Sequence, residues 1–489
     1  MPINKNFFFD RLSRTGPVSC YILPAAFFVF MGIAFGPFGS YLFEEVMIIP
    51  CVLFLRGMFS QPLRSDAKKA FFLSSLLFCW FFLLQILRDL AFFEVYPFST
   101  YFCSYFFAFP MASLMQDGEA KQALKLFFIA FIAASVCHVI TTLLMLLDAV
   151  PAYFTQYHAY WDGTRLHSFW HPNMTACFLM FGVGACLVFL QDTADRRTKA
   201  ALLAAIALFL IPMALTNCRT VIILTGGLLG GTAFFSMVRG SWKRVLPGLA
   251  VACAIVLLVY TGASSLYSFH SNVLAGKHTM EPPRTAAGVF VITAEAASPT
   301  ESSEQDMSQE VTTPPMGASD INTSLGTSSE QKTLAEDLGN LNNRTMLWKS
   351  TLKALFKNGI YPIIGVDNPG RHMSYYSDFP QAHTHNSWTE TLLGLGIPGF
   401  LISLIFTAIT LWNSFVILLK HNQDTWKRTT AMLTLCMLAA SFMESYLFLP
   451  PADHYIHNFL FLLCAGYLLH WQEEDNQKAL QAIRKFLPI

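Results

Sequence analysis

Between residues 126 and 147 the chain reads Leu126-Phe-Phe-Ile-Ala-Phe-Ile-Ala-Ala-Ser-Val-Cys-His-Val-Ile-Thr-Thr-Leu-Leu-Met-Leu-Leu147, with no charged residue. A run of about 20 apolar residues crosses a bilayer as an α-helix, because its backbone polar groups are then all satisfied within the segment. Similar runs recur along the 489 residues, of which 54% are hydrophobic and 13% charged. Soluble domains carry roughly 25% charged residues. The sequence therefore predicts an all-α, polytopic membrane protein.

Apolar segments of this kind predict about twelve transmembrane helices. They fall near residues 18–36, 38–58, 70–88, 91–112, 126–149, 169–190, 200–216, 220–238, 246–262, 388–418, 429–449 and 454–470. The segment 388–418 is too long for one simple span and contains Pro398, so we expect a kink there or a part that lies along the membrane surface. One long loop, of about residues 263–385, separates the ninth and tenth spans.

The distribution of Lys and Arg predicts the orientation in the membrane. With the N-terminus in the cytoplasm, 21 of the 32 Lys and Arg residues fall in cytoplasmic segments, three in short loops on the opposite side and eight in the long loop. Cytoplasmic loops of membrane proteins carry an excess of Lys and Arg. We therefore expect both termini in the cytoplasm and the long loop outside. The formal net charge of +1 argues against a nucleic-acid partner.

Four segments follow from this organisation. They are N-terminal transmembrane helices at 1–262, the outward loop at 263–385, C-terminal transmembrane helices at 386–470 and a cytoplasmic tail at 471–489. Within the loop, residues 280–331 are rich in Ser, Thr, Pro and Glu and hold too few apolar residues to offset chain entropy, which predicts disorder. Residues 334–385 predict a folded cap with an amphipathic helix. Its apolar positions are Leu341, Met346, Leu347, Trp348, Leu352, Leu355 and Phe356.

The residues best suited to chemistry lie where the loop returns to the membrane, in His383-Thr-His-Asn-Ser-Trp-Thr-Glu390. Asn386 or Ser387 can cap the helix that begins there. The positive end of the helix dipole disfavours an imidazolium, which favours a neutral His385 that can accept a proton. Taken alone, the same string also fits an interfacial helix cap without chemistry.

Four sequence elements resemble, in order, those of the O-antigen ligase and polymerase superfamily, over about residues 160–410. The most specific is His385-Asn386, followed after nine residues by Gly396-Ile-Pro-Gly399. The others are Thr164-Arg-Leu-His-Ser-Phe-Trp-His-Pro-Asn173, Thr216-Asn-Cys-Arg-Thr220, and Asn343-Arg-Thr-Met-Leu-Trp348 with Pro362-Ile-Ile-Gly-Val366. Asp367 stands where the family pattern has a further glycine, and the low-complexity stretch at 280–331 departs from that pattern.

The resemblance implies transfer of a glycan from an undecaprenyl diphosphate donor to an acceptor hydroxyl, on the periplasmic side of a bacterial inner membrane. In the family the acceptor is lipid A-core for the ligases and another lipid-linked glycan for the polymerases. The implied enzyme is a metal-independent, inverting glycosyltransferase that uses no cofactor. Its partners are the lipid-linked donor, the glycan acceptor and the bilayer.

The resemblance also assigns roles to residues. His385 is the expected general base for the acceptor hydroxyl. Arg219, Arg344 and Arg165 are expected to bind the donor diphosphate, because a guanidinium offers permanently charged, bidentate donors. Secondary candidates are His383, Asn386, Trp348, His171 and Asn173.

Structural roles fit several of these residues equally well. Arg219 could anchor a span at the interface, Arg344 could lie on a cap helix, and Arg165 could pair with Asp162. The outward group of Asp453, His454, His457 and Asn458 contains one carboxylate, so no metal site is expected there. Glu444 lies within a predicted span, where a carboxylate is costly and indicates a function or a partner that the sequence does not name.

Two alternatives remain open at the level of sequence. A polymerase or a protein O-oligosaccharyltransferase would use the same arginines and histidine as a ligase. A transporter of polysaccharide or lipid would belong to another class, but transporters usually contain internal repeats and broken helices at mid-membrane, and no repeat is visible in this sequence.

Overall fold

The computed structural model describes ten main segments of the chain and a few shorter pieces. The segments are residues 117–146, 160–161, 165–168, 172–238, 242–271, 344–357, 359–366, 384–419, 424–448 and 455–469, and the pieces are 26–27, 30, 75–77, 79–81, 83–84 and 105. The chain divides into two units, Met1–Met280 with Met346–Ile489, and Glu281–Thr345. The packing described below lies within the first unit.

The described elements are helical apart from one small β-hairpin. In chain order they are α1 (Asp117–Leu146), β1 (Tyr160–Trp161), β2 (Leu166–His167), α2 (Pro172–Asp192), α3 (Arg196–Leu215), α4 (Arg219–Val238), α5 (Val245–Phe269, after a 3-10 turn at Trp242–Arg244), α6 (Arg344–Leu355), α7 (Tyr361–Ile364), α8 (Ser387–Leu419), α9 (Thr425–Ala440) and α10 (Tyr455–Leu468). Six of them, α1 to α5 and α8, are long and apolar enough to cross a membrane.

Helix α2 lies at the centre of the bundle and contacts α1, α3, α4 and α9. Nearly all of its side chains are buried, whereas α5 leaves most of its apolar surface exposed. Close packing around α2 depends on small residues, since a Cβ on Gly184 would lie 2.5 Å from Leu433. Helices α4 and α5 approach in the same way, because a Cβ on Gly230 would lie 2.7 Å from the Ala252 carbonyl oxygen. Small residues at such crossings are typical of helices packed in a bilayer.

One end of the bundle is held by ion pairs, and we call it the Lys121 end. Lys121 Nζ lies 2.6 Å from Asp424 Oδ2, and Lys125 Nζ lies 2.6 Å from Asp192 Oδ2. Both ammonium groups also lie over the ring of the buried Trp426. These contacts join the start of α1 to the end of α2 and the start of α9.

The opposite end, which we call the Glu444 end, is closed by apolar packing. Leu166 of β2 and Leu215 of α3 are buried together, with Leu146 of α1 and Tyr267 of α5 packed against them. Helix α9 begins at the Lys121 end, where Asp424 contacts Lys121, so the turn that follows α9 lies at the Glu444 end. The start of α8 lies there too, because the Ser387 amide donates to the Ser441 carbonyl over 2.9 Å.

Helix α8 is interrupted at Gly396, which has φ 67° and ψ −174°. The break frees the Leu395 carbonyl, which accepts a hydrogen bond from Trp80 Nε1 over 2.8 Å. The backbone of α7 packs against the break so closely that a Cβ on Gly396 would lie 2.3 Å from the Ile363 carbonyl oxygen. The predicted kink in this segment is therefore confirmed, but it lies at Gly396 rather than at Pro398.

The structure bears out six of the twelve predicted spans as apolar helices, those near 126–149, 169–190, 200–216, 220–238, 246–262 and 388–418. The four spans predicted before residue 113 lie largely outside the described residues. Helix α10 matches the last span but has 14 residues. The span predicted at 429–449 is wrong in its second part, because α9 ends at Ala440 and a buried turn follows to Phe448.

The predicted amphipathic helix of the loop is present as α6, with a different apolar face from the one expected. Ala354 and Leu355 are buried against Leu393 of α8, whereas Leu352 and Phe356 are exposed. The predicted disorder at 280–331 lies outside the described residues.

Candidate functional site

The start of α8 is built around Asn386 and Ser387. The Asn386 side chain accepts hydrogen bonds from the Trp388 and Thr389 amides, so that Asn386 is the N-cap. Of the two caps that the sequence allowed, this is the one formed. Ser387 Oγ instead donates to the Glu444 carbonyl over 2.7 Å and accepts from the Tyr446 and Leu447 amides.

The turn 441–448 is non-helical backbone, and its residues from Glu444 to Phe448 are buried inside the protein. Such backbone is tolerated in a membrane protein only where protein groups satisfy it. Ser445 Oγ accepts from the Asn386 amide over 2.9 Å, and the Phe448 amide donates to Asn458 Oδ1 over 3.1 Å. The turn is thus fastened on both sides, which fixes the position of Glu444 between them.

Glu444 is the partner of His385. The Nδ1 atom of His385 lies 3.3 Å from Glu444 Oε2. The other carboxylate oxygen accepts from Asn173 Nδ2 over 2.6 Å. The His385 side chain is 19% exposed and that of Glu444 is 1% exposed, so the imidazole can be reached from outside while its carboxylate cannot.

The chain of contacts continues to Arg165. Its Nη1 donates to Asn173 Oδ1 over 3.5 Å. Asn173 lies in the first turn of α2, where Pro172 occupies the helix start that suits proline. Ser168 and Thr175 hydroxyls, 2.6 Å apart, join the hairpin to the same turn. The structure therefore brings four residues from three distant parts of the sequence into one line, Arg165, Asn173, Glu444 and His385.

The backbone around His385 is also held from two sides. His385 has φ 51°, a left-handed conformation in which histidine is more frequent than most residues. The preceding Thr384 amide donates to Glu390 Oε2 over 2.9 Å. The Thr384 carbonyl accepts from Trp348 Nε1 of α6 over 3.2 Å. Trp348 and Glu390 therefore fix the residue next to His385.

Arg219 lies at the same end of the bundle as this line of residues. It begins α4 after a tight turn in which Asn217 has φ 50° and Thr216 Oγ1 donates to the Met213 carbonyl. The turn follows Leu215, which packs against Leu166, the neighbour of Arg165. Arg219 is half-buried. Two of the three predicted arginines are thus at the Glu444 end.

The remaining candidates are less fully described. Arg344 begins α6, four residues before Trp348, and its side chain lies outside the described part of the chain. His383, His171, Asp453 and His454 lie outside the described residues. His457 is buried among Phe178, Phe181 and Tyr446 rings, and Asn458 fastens the turn 441–448. This pair contributes to the core rather than to the line of site residues.

The Gly-Ile-Pro-Gly element and the Pro-x-x-Gly element form one structural unit. The Val366 amide, next to Gly365, donates to the Leu393 carbonyl over 2.7 Å. The carbonyls of Pro362 and Ile363 approach Gly396 where a side chain would otherwise lie. The two elements are far apart in sequence but require each other in the fold.

Comparison with protein families gives a match over the centre of the chain. Residues 202–404 match a family model described as O-Antigen ligase. Over this segment the chain is similar to the O-antigen ligase family. A search of curated proteins found no match. The ligase-family segment contains Arg219, Arg344 and His385, whereas Arg165, Asn173 and Glu444 lie outside it and are joined to it by the hydrogen bonds described above.

Sequence reasoning identified His385, Arg165 and Asn173 but not the contacts among them. It singled out Glu444 as an intramembrane carboxylate without naming its partner. The hydrogen bond that Glu390 accepts from the Thr384 amide, next to His385, was not predicted. A carboxylate in the first turn of a helix, six residues after Thr384, was the signal that could have found it.

Proposed function

We propose that this chain transfers a glycan from an undecaprenyl-diphosphate-linked donor to an acceptor hydroxyl, with lipid A-core as the acceptor, on the periplasmic side of the inner membrane. The ligase family is one of glycosyltransferase-like membrane enzymes, which supports the class of reaction. The observation that carries the proposal is the partly exposed imidazole of His385 in contact with the buried carboxylate of Glu444.

In the proposed step the acceptor oxygen attacks the anomeric carbon of the donor sugar. His385 Nε2 takes the proton of the acceptor hydroxyl as the new carbon–oxygen bond forms. The bond from the anomeric carbon to the phosphate oxygen breaks, and the diphosphate leaves with the electron pair. A single displacement of this kind inverts the anomeric configuration.

Glu444 determines which nitrogen of His385 can act. An ionised carboxylate only accepts hydrogen bonds, so the contact of 3.3 Å requires the hydrogen on Nδ1. The lone pair then lies on Nε2, the nitrogen that faces away from the carboxylate. A base oriented by a buried acid is the arrangement that recurs in enzymes that activate hydroxyl groups.

Fixed guanidinium groups are proposed to stabilise the negative charge that develops on the diphosphate. Arg219 is the first of these, since it begins α4 at the Glu444 end, where the positive end of the helix dipole adds to its own charge. Arg344 is the second. Arg165 is proposed to contribute more weakly, because one of its nitrogens already donates to Asn173. These cations supply the electrostatic stabilisation that other transferases obtain from a metal.

The test is transfer of a polyprenyl-diphosphate-linked glycan to lipid A-core by purified protein in detergent, with donor binding measured separately. His385→Ala is expected to lower turnover by about 10²–10⁴, the usual contribution of a general base, and to leave donor binding unchanged. His383→Ala is the matched control and should cost far less. Wild-type turnover by His385→Ala would overturn the proposed mechanism.

A deletion strain distinguishes the two acceptors within the class. If the enzyme is a ligase, lipopolysaccharide electrophoresis of the deletion strain should show bare core alone. Core bearing a single repeat unit would instead indicate a polymerase. With either outcome, the role of His385 is determined by the transfer assay with purified protein.

A further inference from the structure

One face of helix α6 is buried, and another exposes large apolar side chains. Thr351, Ala354 and Leu355 are buried, the last two against Leu393. On the other face Leu352 is 41% exposed and Phe356 is 63% exposed. Residues four apart lie on one face of a helix, so these two large side chains form a continuous apolar stripe.

The stripe continues beyond the end of α6. Ile360 and Ile363 are also more than half exposed. The backbone at Ile363 packs against the break at Gly396, and Ile397 and Leu401, which follow the break, are exposed in turn. We call the set of Leu352, Phe356, Ile360 and Ile363 the loop stripe, and it runs into the apolar outer face of α8.

The depth of α8 in the bilayer fixes the level of the loop stripe. From Pro398 to Leu419 the second part of α8 is about 33 Å long at ~1.5 Å per residue. This length matches a hydrocarbon core of about 30 Å. With Leu419 near the Lys121 end, the break at Gly396 lies close to the opposite boundary of the hydrocarbon. The loop stripe, which is joined to that break through α7, lies at the same boundary.

A row of lysines flanks the loop stripe. Lys349, Lys353 and Lys357 are all exposed and recur every four residues. They lie beside Leu352 and Phe356 on the helix surface. An apolar stripe bordered by lysines is the pattern of a helix that lies in the membrane interface, where the ammonium groups meet anionic headgroups.

We propose that the loop stripe and its lysine row form a docking surface for the anionic lipid surface of the bilayer at the Glu444 end. Leu352, Phe356, Ile360 and Ile363 enter the acyl boundary, and the three lysines contact headgroup phosphates. The docked helix carries Trp348, whose indole donates to the backbone beside His385. Membrane docking therefore holds Trp348, and with it the backbone beside His385, at the level where a lipid-linked substrate presents its headgroup.

The test uses the full chain in vesicles of phosphatidylethanolamine with a minor share of phosphatidylglycerol. The photo-crosslinking substitution Phe356→p-benzoylphenylalanine should give lipid adducts by mass spectrometry. The same substitution at Leu258, on the exposed face of α5, is the positive control. Ala194, in the exposed turn between α2 and α3, is the negative control. Lipid adducts at Leu258 but none at Phe356 would overturn the proposal, as would adducts to a second copy of the chain.

The lipid composition of the same adducts tests whether the surface prefers anionic lipid. Phosphatidylglycerol should be enriched at Phe356 relative to its share in the vesicle. Replacing the three lysines together, Lys349→Gln, Lys353→Gln and Lys357→Gln, should reduce that enrichment by at least about fivefold, which is the effect of a single lysine charge at an anionic surface. Lys199→Gln at the Lys121 end should leave it unchanged. Unchanged enrichment in the triple variant would overturn the anionic character of the surface. Both readouts are independent of glycan transfer and so of the proposed function.

Discussion

His385 and Glu444 divide between them two requirements that one residue cannot meet. A base has to contact the substrate, and the His385 side chain is partly exposed. A charge that orients the base has to be shielded from water, and the Glu444 side chain is buried. Burying a carboxylate is costly unless hydrogen bonds satisfy it. Asn173 and His385 each satisfy one of its oxygens, which explains how an acidic residue persists inside the bundle.

The first residue-scale prediction separates the charge of Glu444 from its shape. Glu444→Gln keeps the side-chain size but replaces a charged acceptor, and a hydrogen bond to a charged group contributes about 1.5–3 kcal/mol. Turnover should fall roughly tenfold to a hundredfold by that figure, with the affinity for donor unchanged. The measurement is kcat and KM for glycan transfer by the purified variant.

Glu390→Gln is the matched comparison for that variant. Glu390 is also buried beside the site. It accepts a hydrogen bond from the Thr384 amide, and a glutamine oxygen can do the same. This variant should therefore retain much more activity than Glu444→Gln. Equal losses in the two variants would mean that Glu444 acts by packing, without a role for its charge.

A second residue-scale prediction concerns Arg219. Arg219→Ala should abolish most transfer and weaken donor binding while the protein still reaches the membrane. Arg219→Lys should restore only part of the activity, because an ammonium cannot reproduce the bidentate guanidinium. Donor binding and transfer by both variants are the measurements. Full donor binding by Arg219→Ala would assign Arg219 to the interface as an anchor and remove it from the diphosphate site.

At this scale the sequence predicts which residue types are unusual, and the fold determines which of them meet. His385 and Asn173 were identifiable from the patterns around them, and Glu444 from its place in an apolar segment. Their contact joins positions 59 and 271 residues apart. No local periodicity carries information about such a pairing, because it depends on how α2, α8 and α9 pack.

The element that most clearly couples sequence to fold is the interrupted helix α8. Gly396 combines a positive φ with the close approach of the α7 backbone, and only glycine meets both conditions. The sequence predicted a kink from segment length and from Pro398. It could not locate the break at Gly396, because the requirement arises from contact with Pro362 and Ile363.

The element-scale prediction follows from that contact. Gly396→Ala should displace α7 and α6, lower thermal stability and reduce transfer, since a non-glycine residue in such a conformation costs about 1–3 kcal/mol before any steric clash. Gly359→Ala, just before α7, has open space around its added Cβ and should behave as wild type. The measurements are the melting temperature in detergent and the transfer rate. Wild-type stability of Gly396→Ala would contradict the tight docking of α7.

The turn after α9 illustrates what hydropathy cannot distinguish. Residues 441–448 include Tyr446, Leu447 and Phe448, all buried, and their apolar character extended the predicted span to 449. A buried turn whose backbone is satisfied by Ser387, Asn386 and Asn458 has the same composition as a helix in lipid. The difference lies in partners from α8 and α10, which are distant in sequence.

At the scale of the whole molecule, the two ends of the bundle differ in charge and in chemistry. The Lys121 end carries ion pairs and the basic residues at the starts of α3, α5 and α9. The Glu444 end carries His385 and Arg219. The charge pattern of the sequence predicted this separation. The side of the membrane that each end faces remains a prediction, and it determines whether the proposed donor can reach the site.

The orientation of the chain in the membrane can be tested with single cysteines on each side. Single cysteines replacing Arg197, Arg244 and Lys427, in a variant without the native cysteines, should react with an impermeant thiol reagent only after the inner membrane is opened. Ser303→Cys should react in cells whose outer membrane alone is permeable. The reason is the excess of Lys and Arg at the Lys121 end, since such segments stay in the cytoplasm. Protection of Ser303→Cys would place His385 and Arg219 in the cytoplasm. A glycan diphosphate presented at the outer leaflet could then not reach them, and the proposed transfer would fail even if every residue-scale result were as expected.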